Sequence, residues 1–153
     1  QRASGQVSLL PSPAILERVE TKQAIEADRT VAAVLEEAAE AQAFLFTAGP
    51  CDASSAHVEN GYLSASDVDE LARRGAVGDV LGRYIDADGN IVDPQLDART
   101  VGVDLGRLRG AGRAVFVTAG DAKHDIARTV VTNGLCSVLV TDENTARALL
   151  EER

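Results

Sequence analysis

The amino-acid sequence predicts an α/β fold in which a parallel sheet is covered by helices on both faces. The first observation is that strand-like and helix-like segments alternate in the second half of the chain, which is typical of parallel sheets. The second is the composition. Apolar residues make up 45% and aromatic residues 3%, so Val, Leu, Ile and Ala must fill the core, as in buried parallel strands. The length of 153 residues suits a single domain over 1–153.

The first half of the chain is predicted to contain an arm, two helices and a strand. Residues 1–13 are expected to form the arm, because a Gly and two Pro residues oppose regular structure there. Residues 29–41 carry apolar side chains at helical spacing, and the apolar run at 43–49 predicts a strand. Ser64 and the acidic residue three positions later have the spacing of a capping box, which predicts a helix up to Arg74.

The second half of the chain predicts the parallel sheet. A helix over residues 122–133 should place Ile126, Val130 and Val131 in the core, and the Asn-Gly pair that follows should end it. A last helix should be capped by Thr141 or Asp142. The strands are predicted at residues 100–105, 114–118 and 137–140.

A ligand site is expected at one edge of this sheet. In an open α/β sheet, ligands bind beyond the carboxyl ends of the strands. The segments that follow or end predicted strands are therefore the candidates: residues 47–52, 104–107, 118–123 and 141–144.

The segment at residues 118–123, with the sequence TAGDAK, combines a glycine turn with a helix start. Gly120 permits a close backbone approach, and the free N–H groups of a helix start attract an anion. Lys123 would add a full positive charge, although a solvated surface lysine explains the residue equally well. Asp121 would oppose an anion, and its ordinary role at this place is to cap the helix.

The glycine-rich stretch at residues 75–93 divides into two parts. Asp86 to Asn90 resembles a calcium loop, but the glycine and the twelfth residue do not fit an EF-hand, so an Asp-Gly hairpin turn is the favoured interpretation. Gly75 to Asp79 could bring backbone close to a ligand while Asp79 accepts hydrogen bonds from sugar hydroxyl groups. From the residues alone, an irregular strand in a crowded interior is favoured for this part.

The sequence argues against several classes of function. The net charge of −9 opposes nucleic-acid binding by this chain, which needs a basic patch. No apolar run has the length that crosses a bilayer. Cys51 and Cys136 suggest neither a disulfide framework nor a metal site, and they suit a reducing cytoplasm. His57 and His124 have no partner at a meaningful spacing, and no nucleophile elbow, metal cluster or cofactor motif is recognisable.

The sequence resembles the sugar-binding domain of SorC-type bacterial transcription regulators over nearly all of its length. The resemblance is carried by five segments: GYLS (61–64), GAVGDVLGRYIDADGNIVD (75–93), AGDAKHDIARTVV (119–131), SVLVTDENTARALL (137–150) and LLPSPAILE (9–17). It implies a Rossmann-like sheet related to the sugar-phosphate isomerases, with a phosphorylated sugar as the effector. It also implies that this chain is the C-terminal part of a larger sugar-binding domain and carries no helix-turn-helix.

The resemblance also implies which residues bind the ligand. Lys123 matches a lysine that contacts the effector phosphate or a sugar carbonyl, Asp79 matches an acidic residue that faces the sugar, and Gly49 matches a glycine of the pocket floor. The family usually has Gly-Gly where this chain has Gly120-Asp121, which weakens the expectation of phosphate binding at that turn. With Asp52, which follows the strand of Gly49, these residues form the expected ligand set: Gly49, Asp52, Asp79, Gly120 and Lys123.

The expected function is that of an effector-binding domain without catalysis and without a cofactor. A phosphorylated sugar would bind in the cytoplasm and shift a population between two arrangements of a homo-oligomer, while a DNA-binding domain outside this chain contacts the operator. The first alternative is an isomerase-like enzyme in which Lys123 and Asp79 act as acid–base or Schiff-base groups. The second is a dimerisation module that has lost its ligand.

Overall fold

The structure, a computed structural model, describes residues 5–151 and consists of two small sheets with helices packed around them. Within the predicted arm, residues 5–13 have no regular helix or strand, and residues 1–4 lie outside the described residues. The helices are α1 (Val19–Glu26), α2 (Arg29–Ala39), α3 (Ala56–Glu59), α4 (Ala65–Arg73), α5 (Pro94–Asp97), α6 (Leu105–Gly110), α7 (His124–Thr132) and α8 (Glu143–Glu151). The strands are β1 (Phe44–Phe46), β2 (Ala48–Pro50), β3 (Gly78–Val80), β4 (Arg83–Ile85), β5 (Ala114–Val117) and β6 (Val138–Val140).

The parallel sheet has the strand order β1-β5-β6 and confirms the predicted α/β class. In its register Phe44 lies beside Ala114, and Val115 lies beside Val138. The predicted strand at 114–118 and the predicted strand at 137–140 are both present, each one residue shorter than expected. Helices α6 and α7 pack on one face of this sheet and supply its core together with Phe46 and Phe116, whose rings stack at 5.3 Å.

A second, antiparallel sheet with the order β2-β3-β4 was not predicted. It arises because the predicted strand at 43–49 is divided at Thr47: β1 joins the parallel sheet, and β2 pairs with β3. The prediction of one continuous strand is therefore wrong. β3 and β4 are joined by a two-residue turn in which Leu81 and Gly82 both have positive φ, as a tight hairpin requires.

Three predicted helix boundaries are confirmed. The capping box is present, because Ser64 accepts from the Asp67 N–H while the Asp67 carboxylate accepts from the Ser64 N–H. Asp142 rather than Thr141 caps α8, since its carboxylate accepts from the N–H of Thr145 at 2.9 Å. Asn133 and Gly134, with φ +65°, end α7 as expected.

Three local predictions were wrong. Residues 100–105 form an isolated bridge and then the start of α6, because the carboxylate of Asp104 accepts from the Arg107 N–H and caps a helix there. Val131 is exposed, unlike Ile126 and Val130, since it lies on the solvent side of α7. Asp121 caps no helix: residues 121–123 form a 3₁₀ turn without a side-chain cap.

The turn predicted at Asp86 to Asn90 is present. The Asp86 N–H donates to the Asn90 carbonyl at 3.0 Å, and the Asp86 carboxylate accepts from the N–H groups of Asp88 and Asn90. Ile85 and Ile91 face each other as the arms of the hairpin. The Asp86 carboxylate therefore stabilises the turn by accepting hydrogen bonds from the backbone of the turn itself.

One face of the parallel sheet is exposed in the described part of the chain, so the prediction that helices cover both faces is wrong there. Leu45 is 77% exposed, Val140 is 50% exposed, and the strand alternation places both on the same face. The complete row comprises Leu45, Val115, Val117, Val138 and Val140. A contiguous apolar patch of this kind is unusual on a monomer, and we call it the open sheet face.

We expect the open sheet face to bind apolar probes in solution. The 153-residue chain by itself should enhance the fluorescence of anilinonaphthalene sulfonate, and a Leu45→Lys, Val140→Lys double variant should remove most of that enhancement, since it places two charges in the patch. Leu150→Lys is the matched control, because Leu150 is 71% exposed on α8 and its removal should change the fluorescence little. Equal reductions in both variants would contradict a patch centred on the sheet.

Candidate functional site

A cavity of about 610 Å³ lies where the two sheets meet, and it contains most of the predicted ligand residues. It is positioned by the carboxyl ends of two parallel strands, because Thr47 follows β1 and Ala119 lies two residues after β5. This is the edge at which α/β sheets bind ligands. The lining includes four of the five predicted ligand residues, Gly49, Asp79, Gly120 and Lys123, together with His57 and Glu59.

The pairing of β2 with β3 forms the floor of the cavity. Gly49 is the register partner of Asp79 in this antiparallel pair, and the Asp79 side chain lies directly over it. A β-carbon added at Gly49 would overlap the Oδ1 atom of Asp79. Gly49 therefore leaves the space that the carboxylate occupies.

Asp79 is a buried carboxylate with one oxygen held by the backbone. Its exposure is 8%, and its Oδ2 atom accepts from the Gly82 N–H at 3.0 Å in the β3–β4 turn. Burial raises the pKa of Asp79, because the charged form loses its hydration. The positive charges of His57 and Lys123 and the N–H groups of Gly82 and Gly49 act in the opposite direction on this pKa.

His57 was missed by the sequence analysis, which found no partner for it. It lies on α3, and its Nδ1 atom is 3.1 Å from the Tyr84 hydroxyl and 3.8 Å from Oδ1 of Asp79. These partners are 27 and 22 residues away in the sequence, and a loop and a helix separate them. Local spacing could not have revealed them, since only the packing of α3 against β3 and β4 brings the three side chains together.

The glycine turn at residues 118–123 is already occupied by a protein carboxylate. The Gly120 N–H donates to Oδ2 of Asp142 at 2.9 Å, so the group expected to meet an anion has an internal partner. The Asp121 side chain is 87% exposed at the mouth of this turn. Two carboxylates therefore stand where a phosphate was expected to meet backbone N–H groups, and the positive group of this turn in the cavity wall is Lys123.

Asp52 is separated from the other predicted ligand residues. It does not line the cavity, and its Oδ1 atom accepts from the N–H and hydroxyl of Ser54 at 2.7 and 2.6 Å. The neighbouring Cys51 has its pKa raised to about 11 by burial, with the charges of Asp52 and Asp79 adding to the effect. A thiol of this kind stays protonated and is a poor nucleophile.

Comparisons with known proteins agree with this architecture. A family model described as a sugar-binding domain matches residues 1–151. The chain is 32% identical over 143 residues to the "Deoxyribonucleoside regulator" of Bacillus subtilis (strain 168), across 94% of this chain and 45% of that protein. Its structure matches a "DeoR family transcriptional regulator from Listeria monocytogenes" with a TM-score of 0.85 and 25% identity, over 92% of this chain and 57% of that one.

The chain belongs to the sugar-binding domain family, and the relatives named above are bacterial transcriptional regulators. The family model confirms the predicted resemblance to regulator sugar-binding domains. The full-length sorbitol operon regulator SorC from Klebsiella pneumoniae has the same fold, with a TM-score of 0.78 at 23% identity over 90% of this chain and 44% of that one. The chain spans about half the length of the curated relatives it matches.

This sugar-binding domain has a second cavity, of about 390 Å³, with a different character. It lies between α2 and β1, and apolar side chains and glycine line it throughout, among them Val34, Phe44 and Leu108. A polyhydroxyl ligand would leave its hydrogen-bonding groups unsatisfied there. In the described residues no helix is long and apolar enough to span a bilayer.

We expect Asp79→Asn to stabilise the sugar-binding domain at neutral pH. Because burial raises the Asp79 pKa, the ionised carboxylate costs folding free energy above that pKa, and the cost disappears as pH falls through it towards the ordinary value of 3.8. The amide oxygen can still accept from Gly82. The melting temperature at pH 7 should therefore rise by about 2–4 °C per 1 kcal/mol relieved, and the gain should shrink on acidification.

Calorimetry of Asp79→Asn at neutral and acidic pH measures this effect, and Asp69→Asn on the exposed side of α4 is the control. A lower melting temperature for Asp79→Asn at pH 7 would mean that the carboxylate charge is a net stabilising group.

Proposed function

We propose that this domain binds a phosphorylated sugar as the effector of a transcription regulator. The observation that carries the proposal is that one cavity holds a buried carboxylate, Asp79, and a lysine ammonium, Lys123, close enough for the lysine charge to lower the Asp79 pKa. A carboxylate accepts hydrogen bonds from sugar hydroxyl groups, and an ammonium group binds a phosphate.

The charges around the cavity suggest the orientation of the ligand. Glu59 lines one wall, and Asp121 and the Asp142-bound Gly120 lie at the opposite turn. Asp121 and Asp142 therefore weaken anion binding at the turn that carries Lys123, and the phosphate is assigned to the Lys123 ammonium group as the lysine of the cavity wall. The hydroxyl-bearing carbons are assigned to Asp79. Gly120 would contribute shape rather than an N–H donor unless Asp142 moves away.

The rest of the proposal concerns the complete regulator. One relative is named for deoxyribonucleosides, and by analogy this domain senses a small sugar-derived metabolite. Binding would take place in the cytoplasm and shift a homo-oligomer between two arrangements, which requires different affinities of the effector for the two. DNA binding is assigned to polypeptide outside residues 1–153, since this chain has a net charge of −9.

A thermal-shift experiment with a panel of pentose phosphates, hexose phosphates and the matching free sugars tests the proposal. At least one phosphate ester should raise the melting temperature, since a ligand at 100 times its dissociation constant adds about 2.7 kcal/mol. Lys123→Ala should weaken binding of that ester at least tenfold, because a charge-assisted contact contributes about 1.5–3 kcal/mol. Lys22→Ala on α1 is the control, as Lys22 is the other lysine of the chain.

The thermal-shift series has two results that would count against the proposal. Absence of any shift for every phosphate ester would refute phosphosugar binding by this chain. An ester that binds Lys123→Ala as tightly as the unchanged chain would refute the role of that lysine.

The isomerase-like alternative gains one observation from the structure. His57 and Asp79 lie together in the cavity with Lys123, and an imidazole beside a carboxylate can move a proton at a sugar carbon. We expect no turnover, because the relatives that the chain matches are named as regulators. Incubating the best-binding ester in deuterated water measures this: deuterium incorporation at carbon that His57→Leu abolishes would establish the enzyme.

A further inference from the structure

The imidazole of His57 is fixed from several sides. Its ring lies 5.8 Å from the Tyr84 ring in a tilted arrangement and 6.4 Å from the Tyr62 ring in an edge-on one. Its Nδ1 atom is within hydrogen-bond distance of the Tyr84 hydroxyl and 3.8 Å from Oδ1 of Asp79, and the side chain is 14% exposed. A surface histidine is not normally held by two aromatic rings and two polar groups, which indicates a defined orientation for this one.

We propose that His57 is a positioning residue: the Tyr84 hydroxyl keeps its imidazole 3.8 Å from Oδ1 of Asp79, where the ring limits the orientations of that carboxylate and keeps it ready for the hydroxyl groups of a sugar. The inference rests on the proposed function and deepens it, since it assigns the sugar-hydroxyl end of the cavity to α3 and β3. The phosphate end is assigned to Lys123.

The two oxygens of Asp79 explain why a positioning group is needed. Oδ2 accepts from the Gly82 N–H at 3.0 Å, and Oδ1 lies over Gly49, whose N–H also lowers the pKa of Asp79. The imidazole of His57 lies next to Oδ1. An imidazole that approaches from the α3 side limits rotation of the carboxylate and leaves its remaining lone pairs for ligand hydroxyl groups.

The charged and titratable groups around this pair come from several elements. Glu59 is on α3 with His57, Tyr84 is on β4, and Lys123 is in the 3₁₀ turn. Cys51 and Asp52 follow β2 and contribute to the electrostatics of Tyr84, whose pKa is raised to about 12 mainly by burial. Tyr84 therefore remains a neutral hydroxyl across the working range of pH, and the other ionisable groups at the sugar end are Asp79 and His57, with Lys123 and Glu59 beyond them.

The first arm of the test needs no ligand. In protein labelled at the Asp carboxyl carbon, NMR should show that His57→Leu raises the pKa of Asp79, because the histidine charge that lowers it is gone. His57→Asn should raise the pKa of Asp79 by a similar amount to His57→Leu, because it also lacks the histidine charge. It should still keep a single Asp79 resonance, since the asparagine amide can donate near the original Nδ1 position. His124→Gln is the control and should leave the Asp79 titration unchanged. An unchanged titration in His57→Leu would overturn the proposal.

The second arm uses the sugar panel by calorimetry. His57→Leu should weaken the binding of a phosphate ester and of its free sugar by the same factor, about tenfold, because the lost contact belongs to the hydroxyl end. His57→Asn should restore most of that affinity. Lys123→Ala should weaken only the ester. A His57→Leu effect confined to the ester would overturn the assignment. If no panel member binds the unchanged chain, the proposed function fails, while the carboxylate titration still decides the coupling of His57 to Asp79.

Discussion

The cavity depends on the close antiparallel pairing of β2 and β3, at the point where Gly49 lies beside Asp79. The absence of a side chain at Gly49 leaves room for the Asp79 carboxylate over the neighbouring strand. On β3, a β-carbon at Gly78 would overlap the Gly49 carbonyl and stand 2.7 Å from the β-carbon of Ile126, so the strand also packs tightly on α7. These contacts fix the second sheet against the helix whose preceding turn carries Lys123, and thereby fix the distance between the two ends of the cavity.

This arrangement is costly to stability at the site itself. Asp79 is buried with its pKa raised by desolvation, and Leu81 in the adjacent turn has φ +55°, which costs a non-glycine residue about 1–2 kcal/mol. The rest of the core offsets these costs: a cluster that includes Phe116, Ile126 and Leu135 is fully buried around them. Backbone strain and a desolvated charge at the same cavity are typical of a binding site, because a ligand can replace the hydrogen bonds with water that the buried group has lost.

The sequence predicted the structural features that short-range interactions determine. The capping box at Ser64, the stop at Gly134 and the strand at 114–118 depend on residues within one turn or on a local apolar run. The break at Thr47 was not predictable, because an apolar run has the same appearance whether it serves one sheet or two. His57 was missed for the same physical reason: its partners come from β3 and β4, and a single sequence contains no signal for that packing.

The glycine turn before α7 shows how a local change redirects recognition. Asp121 adds a negative charge to the turn, and the Gly120 N–H donates to the Asp142 carboxylate. The turn therefore offers an anion fewer backbone donors and more negative charge. Ligand charge must then be recognised by the Lys123 side chain, which is flexible and screened by salt, whereas a backbone N–H is fixed. The buried carboxylate of Asp79 is unaffected by that change. Selectivity in this domain should accordingly reside more in the pattern of sugar hydroxyl groups than in the phosphate.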